Sequence, residues 1–165
     1  EAFDWLQAIV DEVFEREADH LLKDPWQARN DYIEVLVDPS KASRERFLNK
    51  VKKKNLSPND EKKLWDLFEA EKFSMFMYTS CGWFFDELSG LEPVQVMKFA
   101  LRAMELVQPY HKKEIEGDYL KILVRAKSNI PKHGTGEDIF HKFVRPTREG
   151  QSLTDPRATR RFHGF

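Results

Sequence analysis

The feature that most constrains this chain is the stretch "FSMFMYTSCGWFF", residues 73–85, which carries no charge. It is too short to span a bilayer, so it must be covered by protein. It continues a segment in which Leu64, Leu67 and Phe68 recur at helical spacing. A helix that is apolar on every side is buried on every side. The expected architecture is therefore all-α, an irregular helical bundle of about six to seven helices around this central apolar helix. Residues 75–79 are expected to lie in the core.

The remaining segments keep the same period. Phe3, Leu6, Val10, Val13 and Phe14 form a stripe that runs on to Leu21 and Leu22. Asp24-Pro25 breaks it, and Pro25 suits the first position of the next helix, where a missing N–H costs nothing. That helix is expected to carry Trp26, Ile33 and Leu36 on one side and to end at Asp38-Pro39-Ser40. A basic helix over residues 43–54 follows. Ser57-Pro58 marks a further start, with Ser57 as cap and Asp60 and Glu61 at the positive end of the helix dipole. Pro93 sits near the start of a helix with the stripe Met97, Ala100, Leu101, Met104 and Val107. Another helix carries Ile115, Tyr119, Ile122, Leu123 and Ala126. Thr135 caps a short last one bearing Ile139, Phe140 and Phe143. No strand alternation and no internal repeat is visible. Residues 1–146 read as one helical bundle domain, and 147–165, ending "RATRRFHGF", as a polar basic tail.

In 165 residues, 41% are hydrophobic and 33% charged, the composition of a soluble globular domain. The formal net charge of -1 gives no reason to expect nucleic acid or a membrane surface as partner. With Cys81 as the single cysteine there is no disulfide framework, and a cytoplasmic, reducing setting is expected. The chain begins at Glu1 rather than Met and reads as processed, or as a piece cut from a longer protein.

Few residues suggest chemistry. Cys81 has Met, Tyr, Phe and Trp for neighbours, which disfavour a thiolate, so it is expected to be a buried, inert thiol. His20, His111, His133, His141 and His163 show no metal-ligand spacing, and neither metal nor cofactor is expected. The basic run "KVKKKN", residues 50–55, lacks interleaved aromatics and reads as a solvated helix end. Asp86 and Glu87 are adjacent, and helix neighbours point roughly 100° apart, so they make a poor acid–base pair. Asp86 directly after "GWFF" must be exposed, paired or used. Trp83 after Gly82 is either core or a flat face for a sugar ring.

Residues 78–104, "YTSCGWFFDELSGLEPVQVMKFALRAM", together with "DPWQARNDYIEVL", "LSP", "SNIPKHGTGEDIF" and "FVRP" in the same order, resemble a specific family. It is the helical domain found C-terminal to the catalytic domain in bacterial and archaeal proteins related to glycoside hydrolase family 57, itself catalogued as of unknown function. The resemblance covers about four-fifths of the chain, most clearly residues 21–146. It implies an upstream (β/α) barrel, in the same polypeptide, that supplies the catalytic glutamate and aspartate of a glycoside hydrolase or glucanotransferase. This chain would then be non-catalytic, packing on that barrel and helping to form its α-glucan or oligosaccharide cleft. Cys81-Gly82 stands where active relatives tend to have Ser-Asp. On this reading Cys81, Gly82, Trp83 and Asp86 mark the point where the central helix meets the cleft. Trp83 would stack on glucose, Asp86 would accept hydroxyl hydrogen bonds or brace barrel residues, and Asn129 and His133 would line the same rim. The alternative is a helical protein-interaction module with no sugar contact. A free-standing enzyme using Cys81 or Asp86 is the third reading, and no base–nucleophile pair supports it.

Overall fold

The computed structural model describes residues 1–84 and 86–145. Within them the chain is an all-α bundle with seven helices of five or more residues and no sheet. The helices are α1 (Ala2–Ala18), α2 (Pro25–Asp31), α3 (Ile33–Val37), α4 (Lys41–Val51) and α5 (Pro58–Phe76). After the four-residue α6 (Cys81–Phe84) come α7 (Leu91–Val107), α8 (Ile115–Leu123) and the short α9 (Gly136–Ile139). A π-helical turn, Phe140–Val144, continues α9. The tail expected from residue 147 lies outside the described residues.

Three long helices make the frame, with α5 packed most extensively on α7 and α1 lying against both. The stripe on α1 holds, with Leu6, Val10, Val13, Phe14 and Ala18 all buried. The stripe on α7 holds too: Met97, Ala100, Leu101, Met104 and Val107 are buried, joined by Pro93, Val94, Val96, Ala103 and Leu106. α5 starts where Ser57 predicts. Ser57 Oγ accepts from the Asp60 N–H at 3.1 Å, and the Asp60 carboxylate accepts from the Ser57 N–H at 3.3 Å. This reciprocal cap satisfies two otherwise orphaned donors.

Three expectations are corrected. The helix after Pro25 divides at Tyr32, and its inner face is Ala28, Tyr32 and Val35. Ile33 and Leu36 point outward, because the buried tyrosine ring, one position from Ile33, sets the phase. The basic helix is Lys41–Val51, capped by Ser40, whose Oγ accepts from the Ser43 N–H. The third correction is the largest. The uncharged stretch 73–85 is no central helix: α5 stops at Phe76, and within 75–79 only Met77 is buried. The helix with the most extensive buried face is α7.

At the far end, α2, α3 and α4 close over one aromatic cluster of Phe14, Trp26, Tyr32, Phe47, Trp65 and Phe68. An antiparallel bridge between Leu22 and Lys52 ties the exit of α1 to the exit of α4. The basic run is fastened there as well. The Lys53 N–H donates to the Leu21 carbonyl at 2.8 Å, and Lys50 Nζ pairs with Asp31 at 2.9 Å and Glu34 at 2.6 Å.

One polar group interrupts the α1–α5 seam. Glu71 is 1% exposed and takes Arg29 Nε on Oε2 at 3.2 Å. Burial, then the charge of Asp11, pushes its carboxyl up to about 7, with Arg29 opposing. Asp11 is raised as well, chiefly by burial. The buried Glu71 carboxyl and the partly buried Asp11 carboxyl, facing each other, hold one proton between them. The native state therefore binds more protons than the unfolded chain between the ordinary glutamate value of 4.5 and about 7. Stability from this pair is greatest below that window and is lost as pH rises through it. The stability difference between wild type and Glu71→Gln, measured by urea unfolding, is expected to fall by on the order of 2 kcal/mol from pH 5 to pH 7. A difference independent of pH would contradict the shared proton.

Candidate functional site

The site is built where α5 stops. Its last turn tightens, with the Met77 N–H reaching the Phe73 and Ser74 carbonyls and the Tyr78 N–H reaching Met75. Thr79 Oγ1 then donates to the Phe76 carbonyl at 3.0 Å. A short hydroxyl side chain competing for backbone partners is a common reason for a helix to end. α6 restarts at Cys81, held by Gly82 N–H to Thr79 O and Trp83 N–H to Ser80 O. Gly82 lets this turn lie directly on α7: a Cβ there would stand 2.5 Å from Val96 Cγ1 and 2.9 Å from Cγ2. Trp83, the next residue, is 56% exposed. Its indole Nε1–H donates to the Met77 carbonyl at 3.1 Å. The ring meets Phe3 edge-on at 5.7 Å and lies 6° from parallel to Tyr78 at 6.3 Å. Tyr78 is itself anchored by its hydroxyl donating to Asp4 at 2.8 Å.

The second half comes from the loop between α8 and α9. A bridge between Lys127 and Thr135 closes it, and the Ser128 N–H donates to the Gly134 carbonyl at 2.9 Å. Gly134 takes φ +70°, a conformation side chains rarely adopt, and a Cβ there would strike the Asp138 carboxylate. Thr135 caps α9 in a reciprocal box with Asp138.

Glu87 joins the two halves. Its Oε1 accepts from the Ser89 N–H at 2.8 Å, Ser89 Oγ at 2.7 Å and Ser128 Oγ at 2.6 Å. Its Oε2 accepts from the Asn129 N–H at 2.8 Å. These donors, Ser128 first, hold the carboxyl down to about 2. Asn129 Nδ2 adds a bond to the Asp86 carbonyl at 2.6 Å, and His133 Nδ1 lies 2.6 Å from Ser89 Oγ.

A cleft of about 270 Å³ opens beside this junction. Gly82, Trp83 and Asp86 line it, with Phe3, Leu88 and Val96 among the apolar walls. Of the residues singled out from sequence, Gly82, Trp83 and Asp86 thus meet at one cleft. Asn129 and His133 sit in the loop clamped to it. Cys81 is set apart: it is not among the lining residues. It is also exposed, which corrects the expectation of a buried thiol. Because α5 ends at Phe76, five positions before it, Cys81 does not continue a packed helix face. Sequence reasoning missed Glu87, Ser89 and Ser128. The only local signal was an acid two residues before a serine; the remaining donors lie some forty positions away.

Chemically, the arrangement offers a flat aromatic face and an exposed carboxylate, the combination that packs against a ring and accepts from hydroxyls. Among the described residues no group of three or more His, Cys, Asp or Glu could hold a metal ion. No described helix is long and apolar enough to cross a membrane. No curated protein and no solved structure matches the chain. One family does: that described as a domain of unknown function (DUF3536) matches residues 1–153. With nearly its whole length matched, the chain belongs to this family.

Proposed function

We propose that this chain is the non-catalytic helical domain of a glycoside hydrolase family 57-like protein. In this reading it packs on an upstream catalytic barrel and presents Trp83 to an α-glucan or oligosaccharide. The observation that carries the reading is the indole of Trp83, more than half exposed yet fixed in orientation by its N–H bond to Met77. A core tryptophan would be covered, and a merely surface one would not be held by a backbone carbonyl and two aromatic neighbours. Asp86 beside it supplies an acceptor for sugar hydroxyls. Phe84, next in sequence to Trp83, and Leu91, at the start of α7, are 81% and 80% exposed, apolar surface suited to a covering domain. The resemblance of residues 78–104 to the family's helical domain supports the same assignment.

Trp83→Ala is expected to weaken maltooligosaccharide binding about tenfold, the equivalent of ~1.4 kcal/mol, with the fold retained. Calorimetric titration of both proteins checks this. Equal affinities in two folded proteins would contradict the reading and favour the second one, a protein-interaction module with no sugar contact. The outward Ile33 and Val37 of α3, exposed at the opposite end of the bundle from Trp83, speak for that second reading.

A further inference from the structure

Glu87, Ser89 and His133 form a chain of hydrogen bonds whose direction is set by counting protons. Ser89 has one hydroxyl hydrogen. Its Oγ lies 2.7 Å from Glu87 Oε1 and 2.6 Å from His133 Nδ1. Every other contact of Glu87 already brings a donor: the Ser89 and Asn129 N–H groups and the Ser128 hydroxyl. Ser128 likewise has one hydroxyl hydrogen, and with its oxygen accepting from the Ile130 N–H at 3.0 Å that hydrogen goes to Glu87. A carboxyl with four donors aimed at it is ionised, as its depressed proton affinity agrees. An ionised Glu87 needs the Ser89 hydrogen for itself; otherwise two lone pairs would face each other at 2.7 Å. Ser89 Oγ is then an acceptor toward the ring, so Nδ1 must carry a hydrogen. Phe143, edge-on at 5.6 Å and 69°, steadies the ring in that position. Nε2 has no hydrogen-bond partner among the described residues.

We propose that Glu87 and Ser89 hold the neutral His133 as its Nδ1–H tautomer, so that Nε2 offers a lone pair to a hydroxyl group of a ligand at the clamped loop. Which nitrogen of a histidine is free is decided by the bond its other nitrogen makes. The tautomer that free histidine prefers in water, Nε2–H, is here reversed. A bare Nε2 can only accept, so together with the Asp86 carboxylate on the same junction it selects ligands that bring O–H hydrogens to donate. The ligand class rests on the saccharide reading above; the tautomer does not. Ser89 and Glu87 are positioning residues, acting through His133.

The test is long-range proton–nitrogen correlation on the full chain labelled with ¹⁵N-histidine, at a pH well above the ordinary histidine range, with His133→Gln to assign the signal. The wild type is expected to show a protonated Nδ1 and a bare Nε2. Ser89→Ala, which leaves Glu87 three of its donors, is expected to return the ring to Nε2–H. An Nε2–H ring in the wild type, or one unmoved by Ser89→Ala, overturns the proposal. Adding a maltooligosaccharide is expected to shift the wild-type Nε2 resonance together with the Trp83 indole signal. Ser89→Ala should weaken that binding about three- to tenfold, the worth of one neutral hydrogen bond. If Trp83 responds and Nε2 does not, the hydroxyl acceptor is overturned while the saccharide reading stands. If neither responds, the saccharide reading fails, and the ligand assigned to His133 fails with it.

Discussion

Phe68→Ala is expected to lower unfolding free energy by about 3–5 kcal/mol, the largest effect of any single truncation in the bundle. Phe68 is fully buried and its ring touches those of Phe14 at 5.8 Å, Tyr32 at 5.1 Å, Phe47 at 5.3 Å and Trp65 at 6.2 Å. These partners come from α1, α4, α5 itself and the α2–α3 junction, so no single neighbour can move to fill the hole. Aromatic pairs of this kind contribute beyond the area they bury. Urea unfolding monitored by circular dichroism measures the loss. A cost under about 1.5 kcal/mol would mean that the cluster repacks, and that the α2–α4 end is not fixed by this ring.

The second large effect is expected at Gly82. An added methyl would meet Val96 at 2.5 Å, and Val96 is buried, β-branched and set on the most deeply packed helix. Gly82→Ala is therefore expected to cost about 1–3 kcal/mol, as overpacking does. It should also lift α6 from α7 and so displace Trp83. Saccharide binding would weaken along with stability. The cause can be isolated: Gly82→Ala combined with Val96→Ala makes room for the methyl and should recover the position of Trp83, seen as a wild-type indole resonance. If Gly82→Ala alone is neutral, the close approach is not what seats the tryptophan.

The two effects fall at opposite ends of the molecule, and the ends were not equally legible. Ser57, Pro93 and Thr135 announce helix starts because their roles depend only on the next three residues. The α7 stripe is equally plain, since five apolar residues at helical spacing leave one solution. The Tyr32 register was not plain. Ile33 and Leu36 outrank a tyrosine in apolarity, and nothing local shows that the tyrosine hydroxyl finds Glu69, 37 positions away, at 2.6 Å. The stretch 73–85 misled for a related reason. Its apolar count says that it must be covered, not that it stays helical, and the Thr79 and Ser80 hydroxyls were the sign of a break. Part of its surface is covered by neighbouring rings such as Phe99, and part remains open.

The site was legible as a set of residues and not as a mechanism of assembly. Gly82, Trp83 and Asp86 were named together because they are neighbours in sequence. Asn129 and His133 joined them only through a family resemblance, which carried information that spacing could not. Glu87 was set aside as a poor acid–base partner for Asp86. Its part is instead to gather four donors from two loops, a role invisible until those loops are side by side.

The most direct test of the central claim, that Trp83 is a sugar-stacking face, is to follow the four tryptophan indole N–H resonances of the ¹⁵N-labelled chain while a maltooligosaccharide is added to high millimolar concentration. The Trp83 signal is expected to move in a saturable way, while those of Trp26 and Trp65, in the far aromatic cluster, stay in place. A Trp83 signal that does not move, in a chain whose other resonances show it folded, would contradict the account.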